Sequence, residues 1–244
     1  TGVQTCALPI FLLSFNAFAV DTDGDGFSDA DEATLGTDPN DPTSPLENKL
    51  TASDGAGDEF GNSVSIDGDT TVISASQSAY VFTRSNGVWT EQQKLTTPAG
   101  GSGDRFGDSV SISGDTIVIG AHYDDENGST SGSAYIFTRN NGVWSEQQKL
   151  TASDGESYDN FGSSVSIDSD TAVIGAVYDD DNGNNSGSAY VFVHNNGVWS
   201  EQQKLTASDG EGYDYFGRNV SIDGDTAIIG AYGNDDNGSK SGSA

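Results

Sequence analysis

One pattern recurs along most of the chain and constrains it more than any other feature. Lys-Leu stands at 49, 94, 149 and 204, Phe-Gly at 60, 106, 161 and 216, and Val-Trp at 88, 143 and 198. The last three copies keep a period of 55 residues, while the first is about nine shorter, because Ser74-Ala75-Ser76-Gln77-Ser78 stands where later copies carry a longer acidic loop. A repeat of this length is one supersecondary unit, and such units bury their faces only by stacking on neighbours. The chain must therefore fold as an array, with its core distributed between copies.

Within a copy the periodicity is that of strands. Ser163 to Asp168 alternates apolar and polar around Val165 and Ile167, Asp168-Ser169-Asp170 turns, and Thr171 to Ala176 is a short apolar run ending in Gly175-Ala176. A polar loop, Tyr178 to Gly187, leads to Ser188 to Val193; Asn195-Asn196-Gly197 turns, and Val198 to Leu205 runs back. Two hairpins per copy give four antiparallel strands, and tandem four-stranded sheets are the blades of a β-propeller. A β-solenoid is the structural alternative, but tight hairpin turns suit a blade better than a coil. The predicted fold class is all-β.

Phe106-Gly107, Phe161-Gly162 and Phe216-Gly217 are each followed fourteen residues later by Gly120-Ala121, Gly175-Ala176 and Gly230-Ala231. This spacing resembles the FG-GAP repeats of the integrin α-subunit propeller, over residues 49 to 244. Glycine beside the aromatic permits close strand approach, and Gly-Ala at a strand end fits the crowded hub of a propeller. The family's proline after Gly-Ala is replaced by His122, Val177 and Tyr232. Many members also carry an acidic calcium loop between Phe-Gly and Gly-Ala, where this chain has a short turn such as Asp67-Gly68-Asp69, so propeller calcium sites are not expected. The fourth copy stops at Ala244, before the segment matching Tyr190-Val191-Phe192, so the expectation is an incomplete propeller of about 3.5 blades.

Ahead of the repeats lies an acidic loop, Asp21-Thr22-Asp23-Gly24-Asp25-Gly26-Phe27-Ser28-Asp29-Ala30-Asp31-Glu32. Counting from Asp21, carboxylates fall at one, three, five, nine and twelve, with Gly26 at the sixth position, where a calcium loop turns sharply. No basic residue lies between Asp21 and Glu47, so the carboxylates repel one another unless a hard cation neutralises them. Ca²⁺ fits, with Asp21, Asp23, Asp25, Asp29, a bidentate Glu32 and the Phe27 carbonyl as ligands. Residues 21 to 42 resemble the thrombospondin type 3 calcium repeat of bacterial surface proteins. That resemblance implies a calcium-stiffened spacer, with Asp38 and Asp41 in a second acidic cluster.

Residues 7 to 19 form an apolar run ending in Ala17-Phe18-Ala19, the small-x-small pattern of a signal-peptidase site. Cleavage after Ala19 and export to the extracellular space or cell surface are expected, with no structural meaning assigned to residues 1 to 9. The run is too short to span a bilayer, so the mature form is expected to have no membrane insertion. The single cysteine, Cys6, lies in this leader. The domain expectation is thus a leader over 1–19, a calcium-binding spacer over 20–45 and propeller repeats over 46–244.

Composition narrows the partners. With 38 acidic against 9 basic side chains and a formal charge of −29, the chain lacks the basic face that nucleic acid requires, and an anionic membrane surface would repel it. Catalysis has little support: His122 and His194 occupy non-equivalent positions, and no G-x-S-x-G elbow or metal-spaced histidine pair occurs. The chain is expected not to be an enzyme. The acidic clusters at 124–127, 179–182 and 235–237 read as solvated turns, since their carboxylates are consecutive rather than alternating. Trp89, Trp144 and Trp199 read as packing between blades rather than as a sugar face. The expected function is an adhesion-type module that binds an extracellular protein or glycan. Alternatives are a non-catalytic propeller domain of a larger extracellular enzyme, or a structural spacer.

Overall fold

The computed structural model describes residues 49–55, 59–97 and 103–244. The expected leader, the spacer and all six expected calcium ligands, Asp21 to Glu32, lie outside these residues. The chain divides into two units, and the second, Leu50–Ser85 with Trp89–Ala244, carries the repeats.

Fourteen strands are present among the described residues: β1 Val64–Asp67, β2 Thr70–Ala75, β3 Ser78–Ser85, β4 Val88–Leu95, β5 Phe106–Ser113, β6 Thr116–Ala121, β7 Ser133–Asn140, β8 Val143–Leu150, β9 Phe161–Asp168, β10 Thr171–Ala176, β11 Ser188–Asn195, β12 Val198–Leu205, β13 Phe216–Asp223 and β14 Thr226–Ala231. They form three four-stranded sheets in sequence order, here blades I to III, and a two-stranded sheet, β13–β14, here blade IV. All pairings within the blades are antiparallel, as a propeller requires and a parallel solenoid coil does not. The inner strand is longer than the alternation predicts: β9 starts at Phe161, because Ala176 pairs with Phe161 across a bulge after Gly175.

The hairpins close with the turn chemistry their residues dictate. Asn141 and Gly142 hold φ of 51° and 81°, and Asn196 and Gly197 hold 52° and 85°. Positive φ at both central positions is the type I′ geometry, whose twist matches the flanking strands.

Most of the core lies between blades. One apolar cluster joins Val72, Val81 and Leu95 of blade I to Phe106, Ile117, Ile119 and Trp144 of blade II. A second joins Val118, Ile136 and Leu150 of blade II to Phe161, Ile174, Phe192 and Trp199 of blade III. In blades I to III the Phe of the Phe-Gly pair packs edge-on inside its own blade; Phe161 meets Tyr190 at 5.4 Å and Phe192 at 5.9 Å.

Polar contacts stitch the same junctions. On the inner strands, Ser111 Oγ accepts from Ile167 N at 3.1 Å and Ser113 Oγ from Ser169 N at 3.0 Å. On the outer strands, the Gln93 amide brackets the Trp144 backbone, donating to its carbonyl at 2.7 Å and accepting from its N–H at 2.9 Å. Gln148 repeats both bonds with Trp199. Trp144 and Trp199 are buried and Trp89 is half-buried, so packing is their role, as the repeat pattern predicts.

Candidate binding face

The register places all long connections at one end of the blades. Phe161 opposes Ala176, Ala176 opposes Ser188, and Ala189 opposes Leu205. The β10–β11 loop and the links entering β9 and leaving β12 therefore share an end, while the opposite end carries only short hairpin turns. Function concentrates on loops held by a rigid scaffold, so this end is the candidate face.

Its foundation in blades II and III is an ionic cluster around a buried carboxylate, with a more exposed counterpart in blade I. In blade III, Lys204 Nζ reaches Asp154 at 2.9 Å, Asp179 at 2.7 Å and Asp181 at 2.5 Å, and the Tyr190 hydroxyl donates to Asp154 at 2.8 Å and Asp179 at 3.0 Å. In blade II, Lys149 pairs with Asp124 at 2.9 Å and with Glu126, and the Tyr135 hydroxyl donates to Asp124 at 3.1 Å. Blade I, lacking the long loop, keeps the Lys94–Asp54 pair at 2.6 Å, with Tyr80 donating to the same carboxylate. Each lysine also lies over its tyrosine ring, at 5.0 to 5.5 Å from the centroid.

These contacts correct the solvated-turn reading of two acidic loops. Asp124 and Asp179 are only 4% and 3% exposed, and Asn234 is buried at the same place in blade IV. A consecutive acidic run folds so that its first member turns inward onto lysine and tyrosine, while Asp125, Glu126, Asp180 and Asp181 remain outside. Burial raises the Asp124 pKa, but the Lys149 hydrogen bond and the Glu126 amide outweigh it and hold the group below the usual carboxylate range. Burial likewise works against the charge on Lys149, yet its bonds to Glu126 and Asp124 keep it firmly protonated. Among the described residues, no group of three or more His, Cys, Asp or Glu is arranged to hold a metal ion.

Above the ionic layer the face is aromatic. Tyr123, Tyr158, Tyr178, Tyr213 and Tyr232 are exposed. Tyr215 stacks on Tyr232 at 5.0 Å with an 11° interplanar angle and meets Tyr178 edge-on at 5.9 Å. Between blades II and III, Tyr123, Thr130, Tyr158, Asn160, Tyr178 and Asn185 line a cleft of about 490 Å³. Toward the inner strands, His122 stands 3.8 Å from Asp108, and Arg105 reaches the same carboxylate at 3.8 Å. Burial, with the nearby Arg105 and Arg218, lowers the His122 pKa to about 4, so the ring is neutral at physiological pH.

His194 lies in the outer hairpin, stacked on Trp199 at 5.1 Å and 3.0 Å from Asp170. It replaces Arg84 and Arg139, which bond Asp69 and Asp115 and cover Trp89 and Trp144 in blades I and II. The two histidines are thus in different environments, as their non-equivalent positions imply.

Sequence reasoning did not single out the exposed tyrosines. A signal exists in the alignment of the copies: the residue before Phe-Gly is Glu59, Arg105, Asn160 or Tyr215, while the aspartate before it and the Phe-Gly after it are kept in all four. All four adopt positive φ, from 52° to 59°. The variable position is a strained loop residue on the candidate face, where substitution does not disturb the blade.

Tandem four-stranded antiparallel blades that share their cores with neighbours define a β-propeller repeat protein. The description "FG-GAP repeat" matches residues 46–82, 89–137, 144–192 and 199–244, and the chain belongs to that family. Residues 21–42 match the bacterial TSP3 repeat. Together the two repeat types assign the chain to propeller-type extracellular binding or structural domains. No curated protein matches the chain significantly. A solved europium-containing methanol dehydrogenase is similar at 11% identity with a TM-score of 0.37, over 57% of this chain and 24% of the enzyme. The chain thus spans about a quarter of that structure. No helix among the described residues is long and apolar enough to cross a membrane.

Proposed function

We propose that this protein is a secreted or cell-surface adhesion module that presents its long-loop face to an extracellular protein or glycan. The observation that carries this reading is the segregation of variability. Near-identical strands hold long loops at one end, where the residue before Phe-Gly differs from copy to copy and where Tyr123, Tyr158, Tyr178, Tyr213 and Tyr232 are exposed. A scaffold that only spans distance has no use for exposed tyrosines on one face, whereas large aromatic side chains are the usual anchors of a recognition surface.

Calcium orders the segment ahead of the propeller in this reading. Asp21, Asp23, Asp25, Asp29, Glu32 and the Phe27 carbonyl would hold the ion; hard oxygen donors in alternation suit Ca²⁺ better than a transition metal. Calcium would supply charge neutralisation and stiffness, with no part in catalysis. Export follows from the Ala17-Phe18-Ala19 site.

The test is binding of the full chain to arrays of extracellular matrix proteins and glycans, with and without alanine at Tyr123, Tyr178 and Tyr213. Selective binding lost in the triple variant is expected. Absence of binding on both arrays, or binding indifferent to the loops, would sink the adhesion reading.

A further inference from the structure

The blade II–III cleft differs from the equivalent places beside it. Asn160 occupies the position that Tyr215 holds in blade IV, and there the phenol ring packs against Tyr178 and Tyr232 and fills the space. Blade I lacks the long loop that forms one wall. At the II–III junction the smaller amide leaves a cleft of about 490 Å³, within the range of small-ligand sites.

The cleft is also built under strain. Thr130, Tyr158, Asn160 and Asn185, four of its six lining residues, hold φ of 47°, 78°, 57° and 55°. Bulky and β-branched residues adopt this left-handed region only when their surroundings enforce it. The enforcement is visible as backbone hydrogen bonds across the junction: Tyr158 N donates to Ser129 O at 2.8 Å, Asn160 N to Thr130 O at 3.1 Å and Phe161 N to Ser131 O at 2.9 Å. Turned to satisfy its donors, the Asn160 amide also donates to the Thr130 and Tyr158 carbonyls, at 3.2 and 3.0 Å, and pins the floor. Two chain segments are thus locked so that three phenol rings stand in water, Tyr158 at 64% exposure.

We propose that this cleft binds a neutral saccharide. The lining combines aromatic faces, on which the C–H face of a sugar ring packs, with neutral hydroxyl and amide groups that match sugar hydroxyls. None of the six lining side chains is charged at neutral pH. The carboxylates of Asp124 and Asp179 are buried and committed to Lys149 and Lys204, and that of Asp159 is buried and bonded to the Glu156 amide, so the lining itself presents no exposed anion to a cationic peptide. A net charge of −29 opposes anionic glycans. The assignment rests on the binding-module reading and names one ligand class for it.

The experiment uses the full chain with methyl glycosides of glucose, galactose, mannose and N-acetylglucosamine, and with tetralysine as the charged probe. Binding is followed by saturation-transfer NMR and calorimetry. At least one glycoside should bind at the millimolar level, ~1–10 mM, typical of a ligand this small. Tyr158→Ala should weaken binding at least about tenfold, the loss of one stacking contact. Asn160→Tyr, which copies the filled junction next door, should abolish it. Because Tyr158 is exposed, its alanine variant keeps the fold and carries the test even if Asn160→Tyr perturbs it. Silence of all four glycosides, glycoside binding unchanged in both variants, or Tyr158-dependent binding of tetralysine instead, would each overturn the proposal. If the glycosides are silent while the chain still binds matrix proteins through its loops, the saccharide assignment alone falls and the adhesion reading stands.

Discussion

Gly120 of blade II and Gly162 of blade III meet backbone to backbone: a Cβ on Gly120 would lie 2.0 Å from the Gly162 carbonyl oxygen. The two halves of the repeat motif therefore interlock between neighbours, the Phe-Gly of one blade against the Gly-Ala of the blade before it. Gly162 has a second constraint on its other side, where its own Cβ would stand 2.2 Å from the Ser133 carbonyl oxygen.

Gly162→Ala should destabilise the protein by about 2–4 kcal/mol, because the new methyl meets backbone that cannot swing away and φ of +88° disfavours any side chain. Gly114 separates the two effects: its φ is +56°, but a Cβ there meets nothing within 4 Å. Gly114→Ala should cost only the conformational part, about 1–2 kcal/mol. Urea unfolding of both variants checks this, and equal losses would show that the close approach is unimportant.

The lysine clusters predict a second hierarchy. Lys204→Met strands Asp179, 3% exposed, without its cation and should destabilise by about 3 kcal/mol. Adding Asp179→Asn should recover most of the loss, since the amide still accepts from Tyr190 without carrying charge. Lys94→Met should matter far less, because its partner Asp54 is exposed to water. Thermal melts of the three variants give the ranking.

Strand positions were legible because period-two alternation and Asn-Gly turns depend on neighbours in sequence alone. β10, β12 and the Asn196-Gly197 turn fall where those patterns put them. The inward turn of Asp124 was not legible: its burial depends on Lys149 and Tyr135, 25 and 11 residues away, and a consecutive acidic run carries no local sign of which member will find a cation. The cleft was hidden for a related reason. Its six residues come from three loops, and what opens it is a single small side chain, Asn160, where the next copy has Tyr215.

The acidic loop gives a prediction independent of the propeller. With one copy of the loop in the sequence, calcium affinity should fall in the weak extracellular range, about 10⁻⁴ to 10⁻³ M. Calorimetry on the full chain should show this binding, and Asp21→Ala, Asp25→Ala and Glu32→Ala combined should remove it. Retention of calcium binding in the triple variant would relocate the site.

Asp159 predicts how stability responds to pH. It lies between Tyr158 and Asn160 of the cleft and is 4% exposed. Its carboxylate accepts from the Glu156 amide at 2.7 Å, but burial dominates, and with the nearby Asp179 and Asp180 it raises the pKa to about 6. The folded state therefore holds this proton more tightly than the unfolded chain, whose value is near 3.8. Between pH 6 and 4 folding takes up a proton, so this group's contribution makes the protein more stable as pH falls through that window. Below it the effect saturates, and the carboxylates held by lysine, Asp124 and Asp154, begin to lose their pairing and reverse the trend. Asp159→Asn keeps the acceptor for Glu156 and removes the buried charge. It should raise stability at pH 7.5 by about 1–2 kcal/mol and leave it unchanged near pH 4. Melting curves of both proteins across this range are the measurement. A variant that is no more stable at pH 7.5, or whose advantage persists at pH 4, would show that the Asp159 carboxylate is not held against its charge in the folded state.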